Sequence, residues 1–314
     1  MTNFPQKRTV LFDHDGGVDD LLSLMMVLAM PQVELTGVVV TPADCFIGPG
    51  TLGTLKILRF FNRLDIAVSQ GALHGVNPFP HAWRAHAYPI AALPILNENE
   101  ADLPAPVAET GHEFIARKLR DAPQPLTVLI TGPVSNLAMA LSLEPELAAK
   151  VEEVVWMGGA LRVEGNVRDY EHDGSAEWNA YWDPPAAHAL WQSRVPITLF
   201  PLDATNHVPV TRDFLQRLAR QRRYPLSDLA GQCWALTLGT IPSYEYIYFM
   251  WDTLTTGYLG GSQFMTFREA QTEVVATGPS AGRIKEVESG RLVRVADQVD
   301  VAGFLDYLLA LLRR

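Results

Sequence analysis

Short apolar runs alternate with helical patterns along most of this chain. Thr9 to Phe12 reads as a buried strand running into a polar segment, Asp13 to Asp20. Leu21 to Met30 then reads as an apolar helix stopped by Pro31, Val33 to Val40 as a second buried strand, and Thr51 to Phe61 as a second helix. Leu126 to Ile130, Val151 to Met157 and Pro196 to Phe200 add further strands with helical patterns between them. Continuously apolar strands separated by helices predict an α/β fold: an open, mostly parallel, Rossmann-like sheet with helices on both faces. Near the C-terminus, Glu273 to Thr277, Gly282 to Val287 and Leu292 to Val295 predict a small antiparallel excursion with turns at Gly278 and Gly290. A last helix is expected from about Val301 to Leu312. The stretch from His74 to Pro94 has little periodicity and reads as a long functional loop. No repeat or low-complexity linker divides the chain, so residues 1–314 are expected to form one domain.

Composition narrows the class. Hydrophobic residues make up 48% and charged residues 19%, enough for a sizeable core. A net charge of −10 argues against nucleic-acid and anionic-membrane partners, because neutralising phosphates needs clustered Lys and Arg. Cys45 and Cys233 provide neither a disulfide framework nor a zinc-ligand spacing. The opening MTNFPQKRTV has no apolar leader, and no apolar run reaches the roughly 18 residues of a spanning helix. A soluble, cytoplasmic protein is expected.

The polar segment carries the chemistry. Asp13-His14-Asp15-Gly16-Gly17-Val18-Asp19-Asp20 places four carboxylates in eight residues where a first strand meets its helix. Open α/β folds bind ligands at that edge of the sheet. Such a cluster repels itself unless a cation neutralises it, and the glycines let carboxylates on both sides of the turn converge. Oxygen donors alone favour calcium or magnesium over zinc. The plain alternative is a solvated acidic turn in which Asp19 or Asp20 caps a helix. D-x-D-G after a first strand also opens the haloacid-dehalogenase-type phosphatases, but those do not require the Asp19-Asp20 pair.

The segment resembles the opening motif D-x-D-x-G-x-D-D of the nucleoside hydrolase family, and further islands follow in order. Thr131-Gly132-Pro133-Val134-Ser135-Asn136 resembles the family's T-G-P-x-[ST]-N turn, and Met157-Gly158-Gly159 its M-G-G strand end. Glu164-Gly165-Asn166 comes next, then Ala176-Glu177-Trp178-Asn179, similar to A-E-x-N, with Asp183-Pro184 shortly after and Trp251-Asp252 last. The resemblance implies calcium held by Asp15, Asp20, Asp252 and the Thr131 backbone carbonyl, with Asp15 also the catalytic base toward a metal-activated water. It implies that Asp19, Asp44, Met157, Asn166, Glu177, Asn179 and Asp252 surround the ribose, and that Asp13 supports the cluster from behind. The reaction it implies is calcium-dependent cleavage of a nucleoside to free base and ribose, in a homodimer or homotetramer. The chemistry is consistent: positive charge develops on the ribose ring, and carboxylates and amides favour it. One carboxylate suffices to activate water, unlike the paired arrangement of ordinary glycosidases.

Three positions depart together from the commonest family pattern. Asp44 replaces Asn, Trp251 replaces a His, and the opening reads D-H-D-G instead of D-T-D-P-G. All three resemble the purine-specific, inosine-adenosine-guanosine-preferring subgroup, as does Asn77-Pro78-Phe79-Pro80-His81-Ala82-Trp83-Arg84. That resemblance implies that Trp83 and Trp251 sandwich a purine. His81 and His86 lie beside Trp83 in the chain and are proton-donor candidates, although a loop histidine is usually a solvated bystander. Gly17 departs from the subgroup, which has Asn there. Trp156, Trp182 and Trp191 read as core residues, and Tyr244 to Trp251 as a helix lining the pocket mouth or an oligomer face. Gly48-Pro49-Gly50-Thr51-Leu52-Gly53 spells a dinucleotide fingerprint, but the preceding strand is seven residues away and no acidic residue follows at the needed spacing. Competing readings are a broad-specificity or pyrimidine-accepting nucleoside hydrolase, a magnesium-dependent phosphatase, and a nucleoside-binding module without turnover.

Overall fold

A computed structural model of the chain describes residues 7–98, 102–239 and 247–314. Among these residues the strands are β1 (Arg8–His14), β2 (Val33–Val40), β3 (Val68–Gln70), β4 (Leu126–Ile130), β5 (Val151–Met157), β6 (Ile197–Phe200), β7 (Met265–Val274), β8 (Ile284–Glu286) and β9 (Arg291–Val299). They form one nine-stranded sheet in the order β3-β2-β1-β4-β5-β6-β9-β7-β8. Pairing is parallel from β3 across to β9, and antiparallel between β9 and β7 and between β7 and β8. The expected α/β architecture is therefore present.

The central strands are apolar on both faces because both are covered. Val10 and Phe12 of β1 join one core with the helices Val18–Ala29 and Val301–Leu311, while Leu11 joins another with Gly111–Asp121 and Ser135–Leu143. The chain leaves β1 for β2 on one side and later returns to place β4 on the other. That reversal opens a crevice beyond the C-terminal ends of β1 and β4, the usual ligand position in open α/β sheets. Asp13 pairs with Ile130 across this junction, so the acidic turn and the Thr131 turn emerge side by side.

Several expectations need correction. The C-terminal strands run antiparallel to one another, as expected, and join the main sheet through β9, which runs parallel to β6. However, β7 begins at Met265, well before Glu273. Its half-exposed residues, among them Arg268 and Glu269, gave no apolar run to read. The three-residue β3 was too short to detect. The second helix spans Ile47–Phe60, with Pro49 tolerated in its first turn, so the glycine-rich pattern lies within that helix and makes no phosphate loop. The His74–Pro94 stretch contains a 3-10 turn at Trp83–Ala85 and a short helix at Ala87–Ala91. Residues 244–246 lie outside the described residues; Phe249 bridges to Pro209 in extended conformation, and the helix starts only at Trp251.

Candidate active site

The acidic turn is held by its own backbone. Gly16 adopts φ 79°, a conformation that side chains other than glycine's resist. Asp20 lies in the first turn of the helix Val18–Ala29, where the exposed N–H groups favour negative charge. Its carboxylate accepts the Gly17 N–H at 2.9 Å and the Asp15 N–H at 3.3 Å, and Thr131 Oγ1 donates to it at 2.5 Å. The Asp44 N–H reaches Asp15 Oδ2 at 3.3 Å. Asp19 accepts the Tyr248 hydroxyl at 2.7 Å and the Asp252 N–H at 3.0 Å, tying the turn to the helix Trp251–Gly257. Asp13 lies behind the cavity, fully buried, receiving Thr41 Oγ1 at 2.7 Å and Asn136 Nδ2 at 3.1 Å.

Burial raises every carboxyl in this group; repulsion from neighbouring aspartates adds to it at Asp13, Asp15, Asp20, Asp44 and Asp252, whereas hydrogen bonds from Tyr248 and Asp252 offset it at Asp19. Asp15 and Asp252 stand well above the ordinary carboxylate range from burial and then from neighbouring aspartates; Asp44 does likewise, partly offset by Arg84. Asp20 is raised to about 6 and Asp13 to about 7, both chiefly by burial. A cation would relieve this repulsion and return the carboxyls to their charged forms. The donor set fits one: Asp19, Asp20 and Asp252 each offer an oxygen within 4.8 Å of the others, and all are buried. Asp19 belongs to this trio and Asp15 does not; Asp15 instead interacts with Asp20 and Asp44.

These residues line one cavity of about 750 Å³. Its polar floor comprises Asp15, Asp19, Asp20, Asp44, Thr131 and Asp252; its flank carries Met157, Asn166, Glu177 and Asn179. Glu177 caps the helix Trp178–Trp182, taking the N–H groups of Asn179, Gly159 and Ala180 at 2.8, 3.0 and 3.2 Å, and burial raises it to about 7. Asn179 Nδ2 donates to the Thr131 carbonyl at 2.8 Å and to the Met157 carbonyl at 3.2 Å, so the amide spans the ends of β4 and β5. Asn166 Oδ1 accepts the Trp178 N–H at 3.1 Å.

Trp83 and Trp251 both line the mouth, each half-buried. Trp251 Nε1 donates to Asn206 Oδ1 at 2.9 Å, and its ring meets Tyr248 edge-on at 4.9 Å. Trp83 packs edge-on against Trp178 at 5.4 Å and Phe79 at 6.3 Å. Trp156, Trp182 and Trp191 are core residues, as expected. Sequence reasoning missed Trp178, Phe79 and Asn206 as cavity residues, whereas Tyr248 lies at the cavity as expected of the run before Trp251. Trp178 and Phe79 sit inside motifs already singled out, A-E-W-N and N-P-F-P; nothing local marked Asn206. Of the histidines, His86 lines the cavity, its pKa lowered by burial, whereas His81 packs on Phe46 at 5.2 Å.

An oxygen-only acidic centre at the switch point of the sheet, walled by aromatic rings, matches one known class. A family model described as inosine-uridine preferring nucleoside hydrolase covers residues 10–306. A crystal structure of the inosine-uridine preferring nucleoside hydrolase from Bacillus anthracis superposes with a TM-score of 0.93 at 40% identity, over 98% of this chain and 99% of that one. Among curated relatives, the pyrimidine-specific ribonucleoside hydrolase RihA of Salmonella newport is 32% identical over 230 residues, 71% of this chain and 69% of its own length. The purine-preferring ribonucleoside hydrolase from Gardnerella vaginalis, at 23% identity and TM-score 0.76 over 98% of both chains, shares the fold. The chain belongs to the nucleoside hydrolase family and is an N-ribosyl hydrolase. That membership sets aside the phosphatase reading of the D-x-D-G opening. Among the described residues, no helix is long and apolar enough to cross a membrane.

Proposed function

We propose that this enzyme hydrolyses the N-glycosidic bond of ribonucleosides, purine nucleosides in preference, with calcium as its metal. The observation that carries the reading is a single cavity in which buried carboxylates face two tryptophans. Asp15, Asp20, Asp252 and the Thr131 carbonyl would hold the ion; carboxylates with a backbone carbonyl suit calcium's flexible oxygen shell. When bound, the ion lowers the pKa of water and fixes the ribose diol.

The chain's own groups do the rest. Asp15 takes the proton of the attacking water. Asp19 and Asp252 grip the sugar diol, with Asp44, Asn166, Glu177 and Asn179 around the rest of the sugar, its 5′-hydroxyl included, and Met157 packed alongside. That clamp orients the anomeric carbon for a single displacement, which inverts it. Trp83 and Trp251 offer faces on which a flat base stacks. Trp is a poor acid, so the departing base takes its proton from solvent or from another group at the cavity, where His86 is the candidate histidine. A homodimer belongs to the same reading; light scattering tests it against the 34.7 kDa chain.

Base release from inosine and uridine, with calcium and after chelation, is the deciding assay. Inosine is expected to be cleaved faster, chelation to stop both reactions, and Asp15→Ala to lower kcat by about 10²–10⁴-fold. No release from either nucleoside by calcium-loaded protein would sink the reading. Uridine turnover equal to inosine would move it to broad specificity, the alternative that the inosine-uridine preferring name of the Bacillus anthracis structure supports, and uridine turnover alone to the pyrimidine specificity named for the Salmonella relative.

A further inference from the structure

His14 has no part in the chemistry above, yet it lies fully buried between Asp13 and Asp15. Strand alternation turns it away from Asp13, toward the helix Ile47–Phe60. Its Nε2 stands 3.1 Å from Thr54 Oγ1, and its Nδ1 3.1 Å from the Gly16 N–H. Thr54 has one hydroxyl hydrogen, and that is donated to the Gly50 carbonyl at 2.9 Å. Toward His14 it can only accept, so the imidazole hydrogen sits on Nε2 and Nδ1 is bare. The bare nitrogen faces an N–H that needs an acceptor. Both ends of the ring require the same tautomer.

Three successive N–H groups of the turn are thereby satisfied from two sides. Those of Asp15 and Gly17 point to the Asp20 carboxylate, and that of Gly16, between them, points to His14. Without His14 a buried donor would be orphaned, and reorienting the Gly16 peptide to reach water would disturb the two bonds that seat Asp20. Gly16 and His14 form a matched pair: at φ 79° the position excludes proline, which could not donate either.

We propose that His14 is a positioning residue that sets the acidic turn for metal binding by accepting the Gly16 N–H at Nδ1. The proposal rests on the calcium reading above. Calcium affinity of the metal-free protein, measured by calorimetry with calcium alone, tests it in two variants. His14→Phe keeps a ring beside Phe12, whose centroid is 5.0 Å away, but offers no acceptor. His14→Asn can accept the N–H two residues on, as in an Asx turn. His14→Phe is expected to bind calcium at least about tenfold more weakly than the native protein, and His14→Asn within about threefold of it. Equal affinity in His14→Phe and native protein, or an equal loss in both variants, would overturn the proposal. Nitrogen NMR of the native protein decides independently of whether the variants fold: a protonated Nδ1 overturns the proposal, a bare one supports it. Native protein that binds no calcium would instead overturn the metal reading and take this proposal with it.

Discussion

Asp13 and Glu177 show how single residues make this protein sensitive to pH. Both are buried and raised to about 7, although Thr41 and Asn136 bond to the first and backbone N–H groups to the second. Unfolded, both ionise near their ordinary value of about 4. Between the two values the native state keeps protons that the unfolded state has lost, so stability falls as pH rises. Chelated protein should therefore lose melting temperature steadily from about pH 4 to 7, as followed by calorimetry at fixed ionic strength. Melting that rises over that range would contradict the burial of these two groups. Trp251 poses the second question at this scale. Trp251→His should raise uridine cleavage relative to inosine by about tenfold, because a stacking face is exchanged for a side chain able to donate a proton. Competition between the two nucleosides in one reaction measures the ratio.

At the scale of elements, what matters is how the loop carrying Trp83 is tied down. Arg84 donates to the carbonyls of Cys45 and Pro42 at 3.2–3.3 Å, its guanidinium lies 4.8 Å from the Phe46 ring, and its own carbonyl accepts the Phe46 N–H at 3.0 Å. A segment with few apolar contacts is thus fastened to the loop after β2, which also bears Asp44. Arg84→Met should raise KM for inosine by about tenfold while changing kcat less, since the tether affects base binding more than the acidic centre. Steady-state kinetics separates the two. Elements were legible where they were apolar and regular: β2, β4 and β5 end at the residues their hydrophobic runs predict. β7 was not, because its outer positions are polar, and β3 was not, because three residues carry no period.

For the whole molecule, the proposed metal centre acts as a clasp. It draws together the end of β1, the turn after β4 and a helix whose Asp252 lies 233 positions beyond Asp19 in the chain. Binding to the folded state alone stabilises it by mass action, by about 2.7 kcal/mol at a hundredfold excess over Kd. Calcium should therefore raise the melting temperature and EDTA reverse it, whereas magnesium at equal concentration should do so less. A melting temperature indifferent to calcium would argue that the carboxylates are paired by protons and not by metal.

Hydrophobic patterning alone marked the central strands β1, β2, β4, β5 and β6 and the helices that follow β1 and β2, and it placed the acidic turn at the end of β1. Those features are local: hydrophobic period, glycine at a tight turn and like charges in close succession all act within a few residues. Tertiary structure decided the rest. It made the C-terminal strands an edge of the main sheet, brought Tyr248 and Asp252 onto Asp19, and made Trp178 a cavity wall against Trp83. Sheet order and loop packing set these contacts between segments far apart in the chain, and no local periodicity carries that information.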